Sequence, residues 1–94
     1  MKYTYFDQQA RKVQKIKEEY PKGTRILLEH MDVDKPPIPD NTYGTVKGVD
    51  DIGTIHVLFD NNRNRGVIPG VDKFHKLTES EYEDQFRAYR TKTG

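Results

Sequence analysis

A chain of 94 residues makes one domain that buries about 60–65% of its unfolded surface, which leaves little room for an enclosed active site. The absence of cysteine excludes a disulfide framework, a zinc–thiolate centre and a thiol nucleophile, and it suits a reducing cytoplasm. The net charge of +1 argues against a protein that coats nucleic acid through phosphate contacts alone, because such proteins carry a basic surplus.

The charges are unevenly spread. Residues 1–21 hold five basic and three acidic groups, residues 22–77 eight of each, and residues 78–94 three and four. The middle of the chain is therefore neutral. Mean hydropathy is −0.97, yet the ten aromatic residues, six Tyr and four Phe, keep the chain out of the disordered class. No apolar run approaches the roughly 18 residues of a membrane span, and the first residues lack the apolar stretch of a signal peptide. A soluble, non-exported protein is expected.

From the start, Phe6, Ala10, Val13, Ile16 and Tyr20 recur at spacings of three and four, the stripe of an amphipathic helix. Thr4 or Asp7 caps it and Pro21 with Gly23 ends it. Its other side carries Arg11, Lys12, Lys15 and Lys17. That face is either a phosphate- or partner-binding arm or a solvated surface behind a stripe packed on the domain. Gly23–His30 predicts a first strand with Ile26, Leu28 and His30 on one face.

Residues 31–41, MDVDKPPIPDN, hold three prolines in eleven positions. Proline removes ladder donors and fixes φ, so a long stiff loop is expected here. Such a loop either covers an open end of the sheet or forms a partner groove walled by Met31, Pro37, Ile38 and Pro39.

The centre of the chain, 43–68, predicts a three-stranded antiparallel meander. Gly44–Val49 is rich in β-branched residues, and its glycines suit a bend or a close backbone approach. Asp50–Gly53 supplies turn chemistry. Ile55, Val57 and Phe59 alternate with His56 and Leu58, so the first three face the core. Asp60–Asn64 makes a second polar turn, and Arg65–Ile68 returns before Pro69–Gly70. Lys73–Leu77 predicts a fifth strand. Thr78-Glu79-Ser80-Glu81 is a capping box with Leu77 and Tyr82 as its staple, and Tyr82, Phe86 and Tyr89 form the stripe of a second helix. Acidic residues at its start and Arg87, Arg90 and Lys92 at its end match the helix dipole.

Five short strands with a long first loop and tight later turns resemble a small SH3-like barrel, here with an N-terminal and a C-terminal helix, a mainly β (α+β) fold. The expected divisions are a helix over 1–20, a barrel over 21–77 and a helix with tail over 78–94. Pro21-Lys-Gly-Thr-Arg-Ile, Met31-Asp, the run from Gly44 to Val57 and Ile68-Pro-Gly-Val-Asp-Lys-Phe resemble a family of small uncharacterised domains found in bacteria, phages and mobile elements. The resemblance spans roughly 20–77 and is most specific at VDDIG followed by IHV. It implies the SH3-like barrel and a mobile-element origin, and it implies no activity. The chain departs from the family at Phe59 and Asn61-Asn62, where Trp and an Asn-Gly turn are usual, so a longer turn is expected.

Catalysis is not expected. His30, His56 and His75 sit on different strands without HxH or HExxH spacing, so neither a metal site nor a cofactor is implied. Asp50 and Asp51 belong to a turn rather than to facing walls of a cleft. No phosphate loop and no nucleophile motif is present. A binding role remains, in one of two classes. The leading class is a nucleic-acid module, because SH3-like barrels read RNA or DNA through turns and exposed strand faces; it would use Lys47, Arg63, Asn64 and Arg65 with Tyr43 as a stacking surface. A protein-interaction module would use the groove between the Pro-rich loop and the 60–65 turn, with a host or plasmid protein, such as a nuclease or defence enzyme, as partner. A small anionic ligand at the two arginines is a third reading. The two main classes separate on whether the cations gather on one surface.

Overall fold

Alternation becomes architecture in the computed structural model, which describes residues 5–32 and 36–93. The elements run α1 (Tyr5–Glu19), β1 (Arg25–His30), β2 (Thr42–Val49), β3 (Ile55–Phe59), β4 (Asn64–Val67), β5 (Lys73–Lys76) and α2 (Glu79–Thr93). Thr4 and the side chains of Phe6, Phe86, Tyr89, Arg90 and Lys92, which the sequence reading invoked, lie outside the described residues.

The strands form one antiparallel sheet in the order β4-β3-β2-β1-β5, so the last strand returns to pair with the first and β4 and β5 are its edges. The fold is mainly β, of α+β class, with a helix before and after the sheet. The register joins Ile26 to Gly44, Val46 to Val57, Gly44 to Phe59 and Ile55 to Val67. Paired residues point to the same face, so these positions and Leu28 form the core, with Met31 and Ile38 from the Pro-rich loop beside them. A bulge in β2 between Val46 and Gly48 bends the strand around this core.

The two turns of the meander are built alike. In the first, Gly53 N donates to Asp50 O at 3.1 Å, Asp50 N donates to Thr54 O at 3.0 Å, and Gly53 takes φ +89°. In the second, Asn62 N donates to Phe59 O and Phe59 N to Arg63 O, both at 2.9 Å, with Asn62 at φ 68°. Each is a type I turn closed by one left-handed residue. Asn62 fills the place that glycine fills in the first turn, since its side chain tolerates that region.

Helix α1 packs on its own sheet. Ile16 and Tyr20 sit against the core, the Tyr20 ring lies 5.6 Å from that of Phe74, and Lys17 Nζ pairs with Asp51 at 3.2 Å. Gly23 N donates to Val46 O and Val46 N to Thr24 O, both at 2.8 Å, which ties the link after α1 to β2. At the other end, Thr78 and Glu81 form the capping box: Thr78 N donates to Glu81 Oε1 at 2.9 Å and Glu81 N to Thr78 Oγ1 at 3.2 Å.

Candidate functional site

The outward side of the sheet is where exposed chemistry collects. Arg25 and Leu27 on β1, Tyr43, Thr45 and Lys47 on β2, His56 and Leu58 on β3, and Asn64 on β4 alternate against the buried positions. Lys47, His56, Val57, Asn64, Arg65 and Gly66 line a shallow groove that runs from β2 across β3 to β4. Gly66 shapes it, because its missing side chain leaves the path from the edge of β4 to His56 open. Asp50 fixes His56 from one side. Its Oδ1 accepts from Ile52 N and Thr54 N, at 3.1 and 2.9 Å, while Oδ2 meets His56 Nε2 at 2.9 Å. These bonds, that of His56 first, hold the Asp50 carboxyl below its ordinary range.

A second cluster anchors α2. Arg25 makes a two-pronged contact with Asp60, with both guanidinium nitrogens 2.8 Å from its oxygens, and also reaches Thr45 Oγ1 at 3.0 Å and Gln85 Oε1 at 3.1 Å. The bond with Asp60 raises the Arg25 pKa and lowers that of Asp60. His75 stands between Glu29 of β1, 3.1 Å from Nδ1, and Glu81 of α2, 2.9 Å from Nε2. The bond to Glu29, then that to Glu81, raises the His75 pKa.

That shift has a pH signature. A base that binds its proton more tightly in the folded state adds stability that is complete at acidic pH and is lost as pH rises through the raised value, above the ordinary imidazole value of about 6.5. Raising pH from about 6 to about 8.5 is expected to lower the melting midpoint, and His75→Gln should flatten that slope. His75 is 39% exposed, so solvent screening limits the effect to about a few tenths of a kcal/mol. Thermal melts of both proteins across this range check it; equal slopes would remove the ion pairs as the cause.

Of the five residues expected to meet nucleic acid or a partner, the fold brings Lys47, Asn64 and Arg65 to one groove. Tyr43 lies elsewhere, with Arg25 Cζ 6.0 Å from its ring centroid. Arg63 donates to Pro37 O at 3.2 Å and Pro36 O at 3.1 Å, and Arg65 Nη2 donates to Pro36 O at 3.1 Å. Both guanidinium groups thus hold the Pro-rich loop. The same bonds close the gap between that loop and the 60–65 turn in which a partner groove was expected. Met31 and Ile38, two of its expected walls, are core residues at 2% and 0% exposure, because the loop turns its apolar side chains under the sheet. Pro37 and Pro39 are exposed. Arg11, Lys12 and Lys15 are exposed on α1, whose Ile16 and Tyr20 face the core.

Sequence reasoning passed over His56 and Gly66 as site residues. The signal for His56 was its outward place in β3, one residue from Ile55 and Val57; nothing local marked Gly66, whose place beside His56 comes from the β3–β4 register. Among the described residues no group of three or more His, Asp or Glu stands where it could hold a metal ion, and no helix is long and apolar enough to cross a membrane.

Residues 9–77 match a family model described as a domain of unknown function, DUF4314. No curated protein and no solved structure matches the chain.

Proposed function

We propose, for a chain that belongs to the DUF4314 family over residues 9–77, a non-enzymatic role in binding another protein. The observation that carries this reading is the use of Arg63 and Arg65, whose guanidinium groups are turned to the carbonyls of Pro36 and Pro37. Other cations are also engaged: Arg25 by Asp60, Lys17 by Asp51, and His75 by Glu29 and Glu81. Phosphate contacts need guanidinium donors free to turn to the ligand, and in this neutral domain Arg25, Arg63 and Arg65 direct theirs to acceptors of the protein itself. A protein ligand needs a shaped surface with polar and apolar groups, which the outward sheet face supplies in Leu27, Tyr43, Leu58 and the Lys47 groove. In this reading the partner is a host or plasmid protein, such as a nuclease or defence enzyme that a mobile element needs to restrain.

One observation favours nucleic acid as a second reading: Lys47, Asn64 and Arg65 share a groove. An amide-shift titration with short single-stranded and duplex DNA and RNA at low and physiological salt separates the two. The protein reading expects silence at physiological salt, and it expects Lys47→Glu to weaken capture of a protein from a host extract by about tenfold, the loss of one well-placed charge contact. Salt-sensitive shifts at Lys47, Asn64 and Arg65 with an oligonucleotide would replace it with the nucleic-acid reading.

A further inference from the structure

Strand β4 is an edge of the sheet, and the hairpin fixes which of its backbone groups have no partner on β3. Phe59 N donates to Arg63 O, and in an antiparallel ladder bonded and non-bonded pairs alternate. Arg65 opposite Val57 and Val67 opposite Ile55 are therefore the bonded pairs. The N–H and C=O groups of Asn64 and Gly66 therefore point away from β3, and among the described residues no backbone partner takes them. With Arg65 between them, both line the groove.

From this juxtaposition we propose that β4 receives an extended, acidic segment of a partner protein as a sixth strand, with an acidic side chain passing over Gly66 toward Lys47 and His56. The proposal rests on the protein-binding reading above and specifies its site and ligand. The backbone groups of Asn64 and Gly66 supply the ladder contacts of an added strand. Charge selects the ligand, since Lys47 is exposed and has no ion-pair partner among the described residues. Gly66 makes room: a Cβ there would lie 2.7 Å from Thr54 Cγ2, so a larger residue would press on the threonine that opens β3. Edge strands that avoid pairing often place an inward charge on the edge. Arg65 is such a residue by register, but its guanidinium is drawn to Pro36 O, on the core side and away from an incoming chain.

The test uses two acetylated, amidated hexapeptides, one alternating valine with glutamate and one alternating valine with lysine, titrated to millimolar concentration into the labelled full chain. A short single-stranded oligonucleotide serves as a third probe. The expected result is a shift of the Asn64 and Gly66 amides with the glutamate peptide, at least tenfold weaker binding of the lysine peptide, and a similar loss in Lys47→Glu. Asn64→Pro removes one outward N–H at an edge position that tolerates proline and should weaken binding as well; Lys47→Glu, at an exposed site, keeps the test decisive if that variant does not fold. Peptide shifts confined to Leu27, Tyr43 and Leu58 would overturn the edge site while leaving protein binding in place. Silence with both peptides overturns the proposal, and a response to the oligonucleotide in its place overturns the protein reading with it. Equal binding of the two peptides overturns the acidic ligand.

Discussion

Gly44→Ala is expected to lower stability by about 2–3 kcal/mol, the range of an overpacked core that cannot relax, and to drop the melting midpoint by roughly 10–20 °C for a domain of this size. A Cβ on Gly44 would lie 2.5 Å from Val57 Cγ1 and 2.8 Å from Phe59 Cδ1. Both neighbours are fully buried at 1% exposure and sit on the adjoining strand, with Phe59 directly opposite in register. The Phe59 ring fills the place of the absent side chain, so relief requires β2 and β3 to part. Gly48 is the internal control. It lies in the same strand, and a Cβ there meets nothing within 4 Å. Gly48→Ala should therefore be neutral or stabilising by about 0.5 kcal/mol through the unfolded chain. Denaturant melts of the two variants decide the matter, and equal midpoints would show that Phe59 does not occupy the Gly44 site.

A second large effect is expected in the Pro-rich loop. Ile38→Ala should cost about 2–4 kcal/mol, as for other buried large-to-small changes, although Ile38 belongs to no strand. Its side chain is fully buried in the core. The loop around it is held at several points: Thr42 Oγ1 donates to Pro39 O at 2.6 Å, Asp32 N to Asp72 Oδ1 at 3.0 Å, and Arg63 and Arg65 to the carbonyls of residues 36 and 37. With so many tethers the backbone cannot collapse into the space left by the isoleucine, which places the cost toward the upper part of the range. Ile52, 84% exposed in the β2–β3 turn, gives the comparison: Ile52→Ala should stay within about 0.5 kcal/mol. Urea midpoints that fall equally for the two substitutions would show that the loop is a cover without a packed underside.

Legibility followed the range of the interactions. Ile55, Val57 and Phe59 announced β3 because alternation is local, and Asp50 with Gly53 announced the first hairpin because turn chemistry lies within a few residues. The capping box of α2 was readable for the same reason. Ile38 and Met31 were not, since a loop has no period to show which of its apolar residues turn inward. Arg63 and Arg65 are the instructive pair. Their sequence context, a polar turn beside a neutral strand, suits exposed cations, and their acceptors are carbonyls 26 to 29 residues earlier. Only the folded sheet brings Pro36 to them. The groove was half legible by that standard: Lys47 and Asn64 could be chosen as polar exposed groups, while His56 and Gly66 join them through register alone.

The return of β5 to the side of β1 has a mechanical meaning. The chain enters the sheet at Arg25 and leaves it at Leu77, and Leu77 N donates to Arg25 O at 3.1 Å, so entry and exit lie at one point. Tension applied through the flanking segments would first load the anchors of α1 and α2 and the bonds of Gly23 and Thr24 to Val46. Once these give, it would take the bond of Leu77 to Arg25 and then the pairs behind it in sequence, Ile26 with Lys76, Leu27 with His75 and Leu28 with Phe74, unzipping the seam instead of shearing it. A seam opened this way parts one pair at a time and uncovers Ile26 and Leu28 while β3 and β4 stay paired.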